Sequence, residues 1–187
     1  KVEKNIKEKE NILNQDFTTT SINQKWSADI TYIHTEKDGW TYLASVEDLY
    51  SRKIIGWAFG KTMDAELAKK ALKNASLNIK KTKGIILQTD LGSQYTSNIF
   101  EEYLAELKIR HSYSRKGCPY DNSCIESFHS ILKKEEVNLK KYKDFKEAYN
   151  AIFEFIEAWY NRERIHSCLN YKTPDEVHSE DEESFAA

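Results

Sequence analysis

The sequence predicts an α/β fold, a mixed five-stranded sheet flanked by helices. Two observations carry that prediction. Three strand-like runs follow one another from Trp26 with short polar links, as an antiparallel meander requires. The chain then alternates helix, strand, helix, strand and turns helical, which adds two more strands by crossovers and leaves helices to cover the faces.

Trp26 to Thr35 reads as the first strand, and Lys37-Asp38-Gly39 supplies a turn. Trp40 to Glu47 and Lys53 to Phe59 read as the second and third, joined around Ser51-Arg52. Asp64 to Asn78 has helical spacing, with Leu67, Ala68, Ala71, Leu72 and Ala75 on one side. Ile85 to Gln88 is a short buried strand, Ser97 to Leu107 a helix, and Ile109 to Tyr113 the last strand. After the Gly117-Cys118-Pro119 interruption come helices from about Asn122 to Glu136 and, rich in aromatics, from about Phe145 to Arg162. Residues 1–15 are rich in Lys, Glu and Asn with sparse apolar positions. The expected division is therefore a linker or N-terminal extension over 1–20, a core over 21–178, and an acidic disordered tail over 179–187.

At 187 residues the chain suits one domain with a proper core. Its apolar runs are too short to span a bilayer, and the charged N-terminus lacks the apolar stretch of a signal peptide. Cys118, Cys124 and Cys168 are odd in number and form no Cys-x-x-Cys pair, so they read as reduced thiols of a cytoplasmic protein. A zinc site on Cys118, Cys124 and a histidine is the less favoured alternative. The formal net charge is −2, but the thirteen residues from Asp175 hold six acids and no Lys or Arg, and without them it is +4. Lysines cluster at 80–83, 133–134 and 140–143, a pattern that permits nucleic acid without demanding it. Neither a P-loop nor a G-x-G-x-x-G fingerprint is present, which argues against a nucleotide-binding enzyme.

Three acids stand where an acid needs a reason. Asp29 interrupts the apolar run Trp-Ser-Ala-Asp-Ile-Thr-Tyr-Ile, on the opposite sheet face from Ala28 and Ile30. Aspartate is depleted in strands, and a buried unpaired charge is costly. Asp90 ends Gly-Ile-Ile-Leu-Gln-Thr-Asp before a glycine turn, and Glu126 lies about one turn into a helix, 35 residues intervening between the two. Each has a plainer reading: a salt-bridged strand Asp, a turn-forming Asx residue, and the glutamate of a Ser123-Cys-Ile-Glu126 capping box. A cluster of three acids selects a hard cation such as Mg²⁺ or Mn²⁺ and explains all of them together.

The segments Trp26-Ser-Ala-Asp29-Ile-Thr, Thr89-Asp90-Leu-Gly-Ser-Gln-Tyr95, Asp121-Asn-Ser-Cys-Ile-Glu126-Ser-Phe-His-Ser-Ile-Leu-Lys133, Tyr160-Asn-Arg-Glu-Arg-Ile-His166 and Tyr171-Lys-Thr-Pro174 occur in that order. Together they resemble the catalytic core of bacterial insertion-sequence transposases related to retroviral integrases, the DDE polynucleotidyl transferases. The resemblance implies an RNase H-like fold and metal-dependent DNA cleavage and strand transfer, with Asp29, Asp90 and Glu126 as catalytic metal ligands. It further implies two Mg²⁺ (or Mn²⁺) ions with DNA bound, transposon ends and target DNA as partners, and a homodimer or higher oligomer. Lys133 matches a basic residue near the scissile phosphate and projects from the helix face of Glu126. Gln94 matches a position near the site, Arg115 and Lys116 on a loop are further candidates for DNA contact, and Tyr160, Arg164 and His166 match a motif of underived role. The family carries an N-terminal helix-turn-helix region for which this chain has no room, so the chain reads as a fragment. Asn170 stands where the family generally has glycine, a change Asn tolerates. The rivals are a metal nuclease of the same fold and a non-catalytic DNA-binding module.

Overall fold

The computed structural model describes residues 9–77 and 79–186. Strands β1 (Lys25–Thr35), β2 (Gly39–Asp48) and β3 (Ile54–Gly60) form the antiparallel meander. Helix α1 (Ala65–Ser76), β4 (Ile86–Thr89), α2 (Asn98–Leu107) and β5 (Arg110–Tyr113) follow, then α3 (Ser123–Glu135), α4 (Phe145–Phe153) and α5 (Pro174–Ala186). The sheet order is β3-β2-β1-β4-β5, with β4 parallel to both β1 and β5. Five mixed strands between helices agree with the expectation, to within a residue or two at each end. Asn78, to which the spacing carried the first helix, lies outside the described residues.

Alternation along β1 divides the interior in two. Trp26 and Ala28 join Ala44, Val46 and the apolar sides of α1 and α2 in one core. Ile33 and Leu43 join Ile125, Phe128 and Leu132 of α3 and Ile152 of α4 in the other. Asp64 and Ser97 cap α1 and α2 by accepting from backbone N–H groups three residues on. Helix α1 lies so close to β3 that a Cβ on Gly56 would stand 2.3 Å from the Ala75 nitrogen. Among the described residues no helix is long and apolar enough to cross a membrane.

The structure adds detail to the expected elements in three places. The last long helix does not continue regularly to Arg162: α4 gives way to π-helical turns over Glu154–Tyr160. The wider turn delivers Asn161 to the backbone of Ile54, from which it accepts and to which it donates at 3.0 Å, and seats Tyr160 edge-on against Phe128 and His166. Helix α5 includes the acidic tail as far as Ala186, and Asp181 accepts from the Ser21 hydroxyl and the Ile22 N–H. The N-terminal extension is not wholly outside the core, because Leu13 is 3% exposed and its N–H donates to Ser112 Oγ. Of that extension, residues 1–8 lie outside the described residues.

The C-terminal segment clamps the far end of α3. Arg164 grips Glu135 through Nε and Nη2 at 2.9–3.1 Å, and Trp159 donates to the same carboxylate. His166 is buried beside Tyr160; burial, then Arg164 and Arg52, holds its pKa down to about 4, so it packs as a neutral ring. Asn170 adopts φ +55°, the left-handed conformation that Asn tolerates.

Near this clamp Glu47 of β2 is 2% exposed, with Arg52 Nη1 3.8 Å away and Oε2 unpartnered among the described residues. Burial pushes its carboxyl from 4.5 up to about 8, Arg52 opposing and Asp48 adding. The folded chain thus holds a proton that the unfolded chain releases, and stability falls as pH rises from about 4.5 to about 8. From pH 5 to pH 8 the unmodified chain should lose about 4 °C more in Tm than Glu47→Gln, the effect of ~1–2 kcal/mol on a domain of this size. Thermal melts across that range check it, and parallel curves would show that Glu47 is already ionised in the fold.

Candidate active site

The last pair in the parallel ladder between β1 and β4 is Ser27 with Gln88, and two residues further along each strand stand Asp29 and Asp90. The third element is fixed to the same place. Ser27 Oγ donates to Asn122 Oδ1 at 2.8 Å, both residues buried, which anchors the start of α3 beside β1. Glu126 follows one turn later. The capping-box reading of Glu126 therefore gives way. Asn122 occupies the N-cap, its side chain is turned to Ser27, and among the described residues Glu126 accepts no hydrogen bond. The Asx reading of Asp90 holds for one oxygen, since Oδ1 accepts from Gly92 N–H at 2.8 Å.

The electrostatics register the convergence. Partial burial raises the carboxyl of Asp90, itself an exposed residue, above the usual range; the Gly92 N–H opposes this and the charge of Asp29 adds to it. Burial likewise raises Glu126, with Asp29 adding and His129 opposing. Tyr95, buried beneath the site against Phe100, is pushed up by burial and then by both Asp29 and Asp90. Asp29 thus acts on acids carried by two other elements. Its Oδ2 lies 3.5 Å from His129 Nδ1, and among the described residues no Lys or Arg forms an ion pair with any of the three acids. Oxygen donors of like charge, without a basic partner, suit a hard divalent cation. Among the described residues no three His, Cys, Asp or Glu already form a ready cage. Repulsion between carboxylates opposes a tighter approach until a cation intervenes.

Asp90 and Glu126 line one open cleft of ≈350 Å³ together with Asn122, Ser114, Arg115 and Lys116. Lys116 is exposed there. Arg115 is engaged by Asp121, which is 1% exposed and accepts from the Arg115 backbone N–H, Nε and Nη2 and from Asn11 and Gln15. Arg115 therefore fixes the loop that leads into α3. Gln94 donates to the Met63 carbonyl at 3.3 Å, beside the Gly92 turn. Lys133 reaches across to β1, donates to the Tyr32 carbonyl and lies 4.6 Å from the centre of the Tyr32 ring. Burial lowers its pKa. The zinc alternative gathers no ligand set: Cys124 lies against Arg52, and all three cysteines are unpaired.

Sequence reasoning missed three supporting residues. Asp121 and Asn122 carry no local signal of a role, although their side chains fix the loop and the helix start. His129, three residues after Glu126 and on its helix face, was not connected with Asp29. The spacing signal for it was present, since positions i and i+3 on a helix share a face.

Comparison with known proteins agrees with this architecture. Models of the integrase core domain match residues 19–119 and 107–174. The chain is 42% identical over 164 residues to the transposase for insertion sequence element IS904 of Lactococcus lactis subsp. lactis (strain IL1403), covering 88% of this chain and 64% of that one. It is 42% identical over 167 residues to the transposase InsF for insertion sequence IS3A of Escherichia coli (strain K12), covering 89% and 58%. It therefore spans less than two thirds of the length of these relatives. Among solved structures, the HTLV-2 integrase catalytic core domain in complex with magnesium superposes with TM-score 0.64 at 18% identity, covering 86% of this chain and 99% of that one. The simian T-cell lymphotropic virus intasome in complex with PP2A regulatory subunit B56 gamma gives 0.64 at 21%, covering 83% and 54%. The fold is RNase H-like, and the chain belongs to the integrase core domain family.

Proposed function

We propose that this chain is the catalytic domain of an insertion-sequence transposase, a DDE-type polynucleotidyl transferase whose catalytic acids are Asp29, Asp90 and Glu126. One observation supports the reading most: the β1–β4 register and the Ser27–Asn122 hydrogen bond hold side by side the three chain segments that carry Asp29, Asp90 and Glu126. The 42% identity to two insertion-sequence transposases supports the substrate, DNA at the ends of a mobile element. The three acids would hold Mg²⁺ or Mn²⁺, which when bound stabilises negative charge on phosphate oxygens and makes a hydroxyl nucleophilic.

The chain's own residues do the holding. Asp29 is fixed by a strand paired on both sides nearby, Asp90 by the Gly92 N–H, and Glu126 by a helix tied to Ser27. Lys133 and Lys116 bring positive charge to the DNA backbone on either side of the acids. In the first step water attacks the phosphodiester at an element end, the P–O3′ bond breaks, and the 3′-oxygen leaves as a hydroxyl. In the second, that hydroxyl attacks another phosphodiester; one P–O bond forms as one breaks, so no nucleotide cofactor is consumed. Joining two ends or an end and a target calls for a dimer or larger assembly, and the HTLV-2 core is known in dimeric and trimeric forms. Unpaired cysteines are consistent with work in the cytoplasm.

With labelled DNA bearing a recessed 3′-hydroxyl element end and Mn²⁺, joined products should form, vanish in EDTA, and fall at least ~10³-fold in Glu126→Gln. Nicking without joining would instead favour a nuclease, and binding without chemistry a non-catalytic module. A second outcome follows from the repulsion. Without metal, Asp29→Asn should melt higher than the unmodified chain, because the charge that raises Asp90 and Glu126 is gone. Mn²⁺ should raise the Tm of the unmodified chain only. That rise should grow with pH, as protons held by the raised carboxyls are displaced less readily in acid. Equal melting of the two proteins in EDTA would count against three mutually repelling acids.

A further inference from the structure

Beyond the acids, β1 runs on past the end of β4, beside no strand among the described residues until Thr35 bridges to Tyr142. There a groove of ≈520 Å³ opens between the β1–β2 hairpin and the segment after α3. Its hairpin wall is aromatic. Trp40 faces His34 across the strand pair and Tyr32 on the diagonal, with ring centres 5.1 Å apart in both cases and planes at 78° and 89°. Neither neighbour stacks flat on the indole, and Trp40 and Tyr32 remain 54% and 57% exposed. Large aromatic rings held this far into solvent are a cost to a folded domain unless something covers them.

We propose that this groove receives an unpaired nucleotide of the DNA strand held at the acids, its base stacked on Trp40. The inference rests on the reading of Asp29, Asp90 and Glu126 as a site of DNA chemistry. Three observations select this occupant. The groove opens near the site: Lys133, which lines it, stands on the helix face of Glu126 seven residues along α3, and Tyr32 lies three residues along β1 from Asp29, each a run of ~10 Å at ordinary helix and strand rises. Its charge is right for a phosphate backbone. Lys133 and Lys141 have no acidic partner among the described residues, and Lys140 is held by Glu136, against one lining acid, Glu36. The platform is also rigid. The Glu36 and Lys37 N–H groups donate to the carbonyls of Tyr142 and Lys143, and Asp38 accepts from Phe145 N–H, so the hairpin tip is pinned to the start of α4. A fixed aromatic face beside a basic edge is how proteins hold single-stranded bases without reading their identity. A DNA end frayed next to the scissile phosphate would present such a base.

The test compares a blunt duplex with the same duplex carrying three unpaired terminal nucleotides, one of them 2-aminopurine, by anisotropy and fluorescence in EDTA. The splayed DNA should bind more tightly and its 2-aminopurine should be quenched. Trp40→Ala should lose about tenfold of that preference and most of the quenching, whereas Trp40→Phe should keep much of both. Glu126→Gln should keep the preference while lacking chemistry, so stacking and catalysis fail separately. Equal affinity for the two DNAs, or a preference unchanged in a Trp40→Ala variant of native circular dichroism, would overturn the proposal. So would loss of self-association in Trp40→Ala without change in DNA binding, which would make the patch an interface between copies.

Discussion

Three residues of parallel pairing set the geometry of everything else. Lys25, Trp26 and Ser27 of β1 run beside Ile86, Leu87 and Gln88 of β4, and the ladder then stops. While it lasts, it brings two chain segments some sixty residues apart into one register, so that Asp29 and Asp90 emerge side by side. Where it stops, β1 runs on beside no strand among the described residues until Thr35 bridges to Tyr142. Ser27, in the last pair, also receives α3 through Asn122. One register thereby fixes three acids on three different elements, and a shift of one residue would turn Asp29 to the opposite sheet face.

That arrangement concentrates negative charge without a balancing base. Two buried acids elsewhere are answered from within: Asp121 has Arg115 and two amides, and Asp48 has backbone N–H groups and the Ser51 hydroxyl. At the site the comparable partner of Asp29 among the described residues is His129 at 3.5 Å, and the carboxyls of Asp90 and Glu126 are raised, by burial first and then by Asp29. A strained electrostatic balance of this kind is typical of functional sites, where the ligand supplies the missing charge. Asp121 and Asn122 are by contrast well satisfied through Arg115, Asn11, Gln15 and Ser27, so the rigidity of the site comes from its surroundings.

Much of this was legible in the sequence because it depends on local pattern. The alternation around Asp29 gave its face, the apolar run before Asp90 gave a strand end, and helical spacing put Lys133 on the side of Glu126. What escaped depends on partners distant in the chain. Nothing local says that Asn122 turns to Ser27 instead of capping, or that Arg115 is engaged by Asp121. The acidic tail looked disordered because its composition lacks a core, yet α5 is held through Asp181 to Ser21 and Ile22, some 160 residues away. The π-helical turns obey the same rule, since their widened pitch follows from where Asn161 meets β3. Trp40 read as an ordinary strand residue, and only the ending of β4 shows how much of it stays uncovered.

The central claim is that acids from three separate elements jointly hold a cation once DNA is present. Anomalous scattering from manganese, in crystals of the chain with a DNA end, tests it most directly. The account predicts manganese density bounded by carboxylate oxygens of Asp29, Asp90 and Glu126 at ~2.0–2.2 Å, with a phosphate oxygen completing the shell. Manganese bound elsewhere on the DNA-loaded chain, or held at this place without Asp29, would contradict it.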